Sequence, residues 1–154
     1  MSLRSDERVY LIADTARAVG PIHDTIAAAV EGGLRLVQQR DKDMSDDAYL
    51  ARVRETATVA RGHGARTLVN GRWSLLAETG ADGVQVPSAM SVAAARAAVG
   101  RGPLVGHSAH NLAEIRSAVE GGADFVTLSP VFPTESKPGA PTLGLDGFAA
   151  LAEE

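Results

Sequence analysis

A serine and two histidines stand close together in the segment GHSAHN, which runs from Gly106 to Asn111. If this segment forms a strand, its side chains alternate between two faces, so Ser108 and His110 share one face and His107 takes the other. The imidazole group titrates near neutral pH, so His110 could accept and return a proton. The alternative is a histidine at the start of a helix that does no chemistry. We expect His107 to pack between the sheet and its helices.

A second polar cluster is the run QQRDK at residues 38–42. Strand alternation predicts that Gln38, Arg40 and Lys42 share one face. One amide and two cations suit an anionic substrate, because arginine offers paired planar donors and lysine a point charge. The alternative is a solvated strand end whose cations pair with Asp41 and Asp43.

Asn70 precedes a glycine at the end of another apolar run. Asn-Gly favours a turn, although the amide could also bind a heterocycle or a carboxylate. Gln85 and Ser129 end further apolar runs in the same way.

The segment from Pro130 to Gly144 is rich in proline and glycine and is predicted to be a loop. Thr134, Ser136 and Lys137 could close over a phosphate or a carboxylate, since long ordered loops are often functional. The alternative is a mobile surface loop.

Composition excludes several classes of function. The chain contains no cysteine, which excludes disulfides, thiolate metal sites and cysteine nucleophiles. Its formal net charge of -4 gives no electrostatic case for nucleic acid or a membrane surface. No apolar run is long enough to span a bilayer, so we expect a cytoplasmic protein. Histidines and acidic residues show no metal-binding spacing, and we expect no cofactor.

The elements that must position these residues alternate regularly along the chain. Short apolar runs predict six strands, at residues 8–14, 34–40, 66–70, 83–86, 104–108 and 125–129. Alanine-rich stretches between them predict helices at residues 21–32, 45–62, 72–78, 91–100 and 112–120, with a sixth beginning at residue 145. Strict alternation indicates a parallel sheet covered by helices, in a single domain over residues 1–154.

Two architectures fit such alternation, the doubly wound sheet and the closed barrel. The first strand is followed by ADTA rather than by a glycine-rich phosphate turn, which argues against a dinucleotide-binding sheet. Polar residues instead end several strands, as the mouth of a barrel requires. Those residues are Gln38, Arg40, Asn70, Gln85, Ser108 and Ser129. We therefore predict a TIM barrel architecture with about six of its eight β–α units.

Taken together, these motifs resemble the family of thiamin phosphate synthase and thiazole tautomerase (TenI-like) proteins. The resemblance runs from about Tyr10 onward, with the motifs in order. They are QQRDK, LVNGR at 68–72, ADGVQVP at 81–87, GHSAHN, ADFVTLSP at 123–130 and VFPTESKPG at 131–139.

The resemblance implies a (β/α)₈ barrel. For the synthase branch it implies the joining of a pyrimidine pyrophosphate to a thiazole phosphate, with Mg²⁺ on the pyrophosphate. The resemblance implies that the pyrophosphate is bound by Gln38, Arg40 and Lys42. It also implies that the pyrimidine is bound by Asn70, and that anionic groups are bound by Ser108, Thr134 and Lys137. Gly71 and the run PSAM at 87–90 stand where that branch carries its Mg²⁺-ligating carboxylates. Mg²⁺ would therefore be bound poorly.

The tautomerase branch is similar at two points, Asn70-Gly71-Arg72 and the run VQVPS at 84–88, which includes Gln85. That branch implies a metal-free proton shift on a thiazole phosphate carboxylate, with His110 as the acid and base. We therefore expect a TenI-like isomerase whose partner is a small phosphorylated thiazole. The alternatives are a thiamin phosphate synthase and a non-catalytic binding or regulatory remnant of the barrel.

In the family, strands seven and eight carry glycine-rich phosphate loops. The sequence stops after the sixth unit, so we expect a truncated barrel, or a second copy of the chain covering the opening. We also expect the isolated chain to have little or no activity.

Overall fold

The computed structural model describes residues 2–135 and 138–153. The six strands in this part of the chain are β1 (Tyr10–Ala13), β2 (Leu36–Gln39), β3 (Arg66–Asn70), β4 (Gly83–Val86), β5 (Leu104–Ala109) and β6 (Phe125–Leu128). The helices are α1 (Ile22–Glu31), α2 (Asp46–Gly62), α3 (Leu76–Thr79), α4 (Val92–Val99), α5 (Leu112–Glu120) and α6 (Gly144–Ala152). Short 3₁₀ turns lie at Thr15–Arg17 and Trp73–Leu75.

All six strands are parallel and lie in their order along the chain, from β1 to β6. The first and last strands of a flat sheet of this size would stand about 24 Å apart, at about 4.8 Å per strand. Yet the rings of Tyr10 on β1 and Phe125 on β6 meet edge to face with their centroids 5.9 Å apart. The sheet therefore curls on itself, and the fold is a half-barrel of the TIM-barrel kind, as predicted.

Hydrophobic residues fill both sides of this curled sheet. Valines that alternate with the inward-facing residues pack against the helices, among them Val69, Val84 and Val105. Leu36, Leu68 and Leu104 form a smaller cluster with Tyr10 and Phe125 on the inner face. We call the space enclosed by the inner face the lumen, and its end at the carboxyl ends of the strands the mouth.

Helix starts follow the capping residues in the sequence. Ser45, Ser91 and Asn111 cap α2, α4 and α5, and each side chain accepts a hydrogen bond from a main-chain N–H one turn on. Asn111 and Glu114 form a reciprocal pair at the start of α5, because Glu114 N donates to Asn111 Oδ1 and Asn111 Nδ2 donates to Glu114 Oε1.

The boundaries differ from prediction at several places. β1 and β2 are shorter than expected, and β2 ends at Gln39 instead of Arg40. The predicted helix 72–78 is a 3₁₀ turn followed by the single turn of α3. No helix in the described residues has the length and apolar character that a membrane crossing needs.

Candidate active site

The mouth brings together polar residues from neighbouring strands. Asn70 lies beside Gln85 in the β3–β4 register, and Ser108 lies beside Thr127 in the β5–β6 register. Because parallel strands share one direction, the residues that end them gather at one edge. These four polar residues therefore lie at the same edge of the sheet, and the ring of substrate-binding residues around a common opening stays a prediction.

Inside the lumen, four side chains are joined in a hydrogen-bonded chain to Ser108. Gln38 Nε2 donates to the Tyr10 hydroxyl at 3.1 Å, and that hydroxyl donates to Gln85 Oε1 at 3.2 Å. Gln85 Nε2 then donates to Ser108 Oγ at 3.0 Å and to Thr127 Oγ1 at 3.2 Å. Gln38 and Gln85 are buried. Both glutamines therefore contact the protein itself, whereas Ser108 and Thr127 are half-buried and each lies one residue from the end of its strand.

Arg40 follows β2 directly and forms an ion pair across to the end of β1. Its Nη1 lies 2.8 Å from Asp14 Oδ2, and the side chains of Arg40 and Asp14 are 29% and 13% exposed. Arg40 therefore pairs with neither Asp41 nor Asp43, because the β1–β2 register places Ala13 beside Gln39 and so brings Asp14 next to Arg40. This pair places a guanidinium and a carboxylate together at the mouth.

Lys42 is exposed and lies beyond β2, in the loop that leads to α2. The prediction that strand alternation places it on one face with Gln38 and Arg40 is wrong, since β2 ends at Gln39. Asp41 ends the alternation: its carboxylate accepts hydrogen bonds from Gln39 Nε2 at 2.6 Å and from Thr15 N at 2.8 Å, which folds the chain into the loop.

Arg72 holds the loop that carries Lys42. Its Nη2 donates to the carbonyl oxygens of Met44 at 2.7 Å and Lys42 at 3.1 Å, and its Nη1 to Asp46 at 2.9 Å. The guanidinium also stacks on Tyr49, 4.5 Å from the ring centre. We call this arrangement the Arg72 clamp.

The hydroxyl of Tyr49 links two strand ends beneath that clamp. It donates to Gln39 O at 2.7 Å and accepts from Asn70 N at 2.9 Å. Burial raises the pKa of Tyr49 to about 12, so the hydroxyl remains protonated. The main chain of Asn70 is thereby fixed, and Gly71 turns the chain away with a φ of 71° that favours glycine.

His110 follows β5 and is held by Glu114 on the first turn of α5. Glu114 Oε2 lies 2.8 Å from His110 Nδ1 and accepts from the main-chain N–H of His110 at 2.8 Å. Burial opposes ionisation of Glu114, but hydrogen bonds from His110 and Asn111 outweigh it and lower the pKa of that carboxyl. A carboxylate at this position favours the tautomer with the proton on Nδ1, which makes Nε2 the basic nitrogen.

His107 points to the opposite side of β5, as predicted. It is 4% exposed and takes the same phase as Val105 and Ala109. Burial lowers the pKa of His107, which favours the neutral ring. His107 is therefore a packing residue on the helix side of the sheet, away from the mouth.

The long loop after β6 is described only in part. Thr134 is half-buried within it, whereas Ser136 and Lys137 lie outside the described residues. The predicted anion contacts of Thr134 and Lys137 stay predictions.

The carboxylates next to the mouth do not suit Mg²⁺. This ion is usually held by one or two carboxylates together with the phosphates of its substrate. Asp14 pairs with Arg40, Asp41 accepts two hydrogen bonds, and Glu114 binds His110 and Asn111. Across residues 2–135 and 138–153, no group of three or more histidines and acidic residues is arranged to hold a metal.

Some residues of this site were not predicted from the sequence. Glu114 was not identified as a partner of His110, although its spacing of four residues from His110 was a usable signal. Tyr10 and Thr127 lie at lumen positions that strand alternation would have identified. The partnership of Asp14 with Arg40 was also not predicted, because it depends on the register between β1 and β2, which the single sequence does not display.

Comparisons with known proteins agree with this geometry. The family model described as thiamine monophosphate synthase matches residues 9–154. A putative thiamine-phosphate synthase of Geobacter sulfurreducens is 39% identical over 153 residues, covering 97% of this chain and 71% of the relative. A thiamine-phosphate synthase of Chloroflexus aurantiacus is 38% identical over 151 residues, covering 96% and 69%.

A solved structure gives the same result. The thiamine phosphate pyrophosphorylase from Pyrococcus furiosus superposes with a TM-score of 0.85 at 26% identity, over 97% of this chain and 71% of the other. The chain therefore belongs to the thiamine monophosphate synthase family, a family of thiamine-biosynthesis enzymes.

Proposed function

We propose that this protein catalyses a metal-free proton transfer on a phosphorylated thiazole, as a thiazole tautomerase does. The observation that carries the proposal is the pairing of His110 Nδ1 with Glu114 at 2.8 Å, which favours the proton on Nδ1 and makes Nε2 the basic nitrogen. Lack of a carboxylate set that suits Mg²⁺ supports the same choice.

In the proposed reaction His110 Nε2 takes a proton from the heterocycle of the substrate, the thiazole phosphate carboxylate. The negative charge that develops is delocalised over the heterocycle, and the imidazolium then returns a proton to another atom of the same ring system. One proton leaves and one returns, so the step needs no oxidant, reductant or co-substrate. Glu114 stabilises the imidazolium between the two transfers and keeps the ring oriented.

The other residues of the mouth bind the anionic groups of the substrate in this proposal. Arg40, Lys42 and Ser108 supply donors and positive charge, and Asn70 supplies an amide. Thr134 and Lys137 contribute from the loop after β6. The partner is therefore a small molecule that carries phosphate.

A second candidate is thiamine-phosphate synthase, which joins a pyrimidine pyrophosphate to a thiazole phosphate. It is favoured by the names of the relatives, which are synthases. Release of pyrophosphate from the two substrates in the presence of Mg²⁺ would support this candidate and contradict the tautomerase.

The direct test of the tautomerase is exchange of substrate hydrogen with solvent. The 154-residue protein is incubated with the thiazole phosphate carboxylate in D₂O, and deuterium incorporation is followed by NMR. We expect slow exchange, in keeping with the low activity expected from the sequence. His110→Ala should slow it by a further factor of about 10²–10⁴, and His63→Ala, at an exposed histidine after α2, should leave it unchanged. Binding of the thiazole phosphate carboxylate that survives His110→Ala, with no exchange in the parent, would contradict the proposal and favour a non-catalytic binding protein.

A further inference from the structure

The hydrogen-bonded chain in the lumen has a direction that its hydrogens determine. A tyrosine hydroxyl carries one hydrogen. The Tyr10 hydroxyl accepts from Gln38 Nε2, so its own hydrogen goes to Gln85 Oε1. The amide of Gln85 is therefore oriented with its oxygen toward Tyr10 and its nitrogen toward β5 and β6.

Thr127 gives a second, independent reason for this orientation. Its single hydroxyl hydrogen is directed at the carbonyl oxygen of His107, 3.4 Å away. In the 3.2 Å contact between Thr127 Oγ1 and Gln85 Nε2, the threonine oxygen must therefore be the acceptor. Reversing the Gln85 amide would break this arrangement and would place two donors on Tyr10 unless Gln38 reversed as well.

Ser108 receives the other hydrogen of Gln85 Nε2 at 3.0 Å. Its oxygen is thus an acceptor toward the lumen, and its own hydrogen is directed elsewhere. Among the described residues, Gln85 is the hydrogen-bond partner of Ser108 Oγ, and Ser108 is half-buried next to the mouth. The serine hydrogen is left to donate to whatever occupies the mouth.

The surrounding packing keeps the chain in place. Phe125 packs edge to face on Tyr10, and Gly106 leaves the space that the Gln85 amide and the Phe125 ring occupy. The chain joins β1, β2, β4, β5 and β6, so a shift of any of these five strands would strain it.

We propose that Gln38, Tyr10 and Gln85 are positioning residues that make Ser108 a hydrogen-bond donor to the bound substrate. The group that receives the Ser108 hydrogen is then an acceptor, and we assign it as a phosphate or carboxylate oxygen of the substrate. The inference rests on the proposed function only in placing the substrate at the mouth.

The first test reads the direction of the chain without any ligand. In ¹⁵N-labelled protein, the side-chain amide protons of Gln85 are expected to show nuclear Overhauser contacts to the Thr127 methyl group and the Ser108 β protons. Contacts from these amide protons to the Tyr10 ring instead would show the opposite orientation and overturn the proposal, whatever the catalytic activity proves to be.

The second test measures the affinity for inorganic phosphate in the parent, Tyr10→Phe, Ser108→Ala and the double variant. Ser108→Ala is expected to weaken binding about tenfold, since it removes a hydrogen bond to a charged group. Tyr10→Phe should weaken binding about threefold or more in the parent and by less than about twofold when Ser108 is already alanine. Thr56→Val is the control, because it removes a buried hydroxyl hydrogen bond to Gln39 outside the lumen.

Equal losses from Tyr10→Phe in both backgrounds would assign Tyr10 a merely structural role and overturn the proposal. A parent protein that binds no phosphate would overturn its assignment of an anionic acceptor. Neither result depends on turnover, so failure of the proposed proton transfer can be told apart from failure of this inference.

Discussion

Oε2 of Glu114 lies 2.8 Å from both the ring Nδ1 and the main-chain nitrogen of His110. One carboxylate oxygen therefore fixes both the main chain at the end of β5 and the orientation of the imidazole. The same side chain completes the cap of α5 through Asn111. The start of the helix and the orientation of the candidate base are thus a single structural unit.

Replacement of Glu114 by glutamine tests this unit. Glu114→Gln keeps a side chain that can reach Asn111 but loses the charge that stabilises the imidazolium. We expect the exchange rate to fall about tenfold or more, a share of the 10²–10⁴ that general acid–base catalysis contributes. Glu120→Gln, at the exposed end of the same helix, is the matched control. An unchanged rate in Glu114→Gln would remove the carboxylate from the mechanism.

The Arg72 clamp predicts that the loop after β2 loosens when its guanidinium is removed. A lysine at position 72 keeps the charge but cannot bind Met44 O, Lys42 O and Asp46 together or stack as a planar group. Arg72→Lys should therefore speed tryptic cleavage after Lys42, while Arg101→Lys, at an exposed turn, should leave it unchanged. Equal cleavage in the two variants would contradict the clamp.

Much of the fold could be predicted because it depends on local patterns. Six apolar runs separated by capped helices determine a parallel sheet, and β3 and β4 have the predicted limits. Strand alternation also placed His107 among the helices correctly. These features follow from side-chain periodicity and helix capping, which a single sequence displays directly.

Contacts between distant strands were beyond such reasoning. Tyr10 meets Gln85 across 75 residues only because the sheet curls. Arg40 pairs with Asp14 across 26 residues because β1 and β2 are neighbouring strands, in a register that places Ala13 beside Gln39. Lys42 was misplaced since its alternation was extended past Gln39, where buried hydrogen bonds to Asp41 end the strand. Local pattern therefore identified candidate site residues without showing which of them contact each other.

Gly106 offers a test of the packing in the lumen. A methyl group added there would overlap Gln85 Oε1 and stand 2.7 Å from Phe125 Cε1. Gly106→Ala should lower the free energy of unfolding by about 1–3 kcal/mol, the usual cost of overpacking, and should weaken phosphate binding by shifting Gln85. Gly102→Ala, where the added group meets nothing within 4 Å, is the control. Equal free energies of unfolding for the two variants in urea would show that the lumen accommodates the added methyl group, which would contradict this prediction.

The buried carboxylate of Glu7 makes the stability of the fold depend on pH, through its ion pairs with Arg66 and with the more exposed Arg4. Burial opposes its ionisation, but the hydrogen bonds from both arginines outweigh burial and lower its pKa below the ordinary 4.5. The folded state therefore gains stability above pH 4.5 that is lost as pH falls through the folded pKa. Glu7→Gln should cost about 3 kcal/mol at neutral pH, since Arg66 loses its charged partner. Its free energy of unfolding should also fall less steeply with acid, measured by urea unfolding between about pH 7 and pH 3. Glu31→Gln, on the exposed end of α1, is the control and should show the same pH dependence as the parent. If the free energy of unfolding falls with pH in parallel for the parent and Glu7→Gln, Glu7 is excluded as a source of the acid sensitivity.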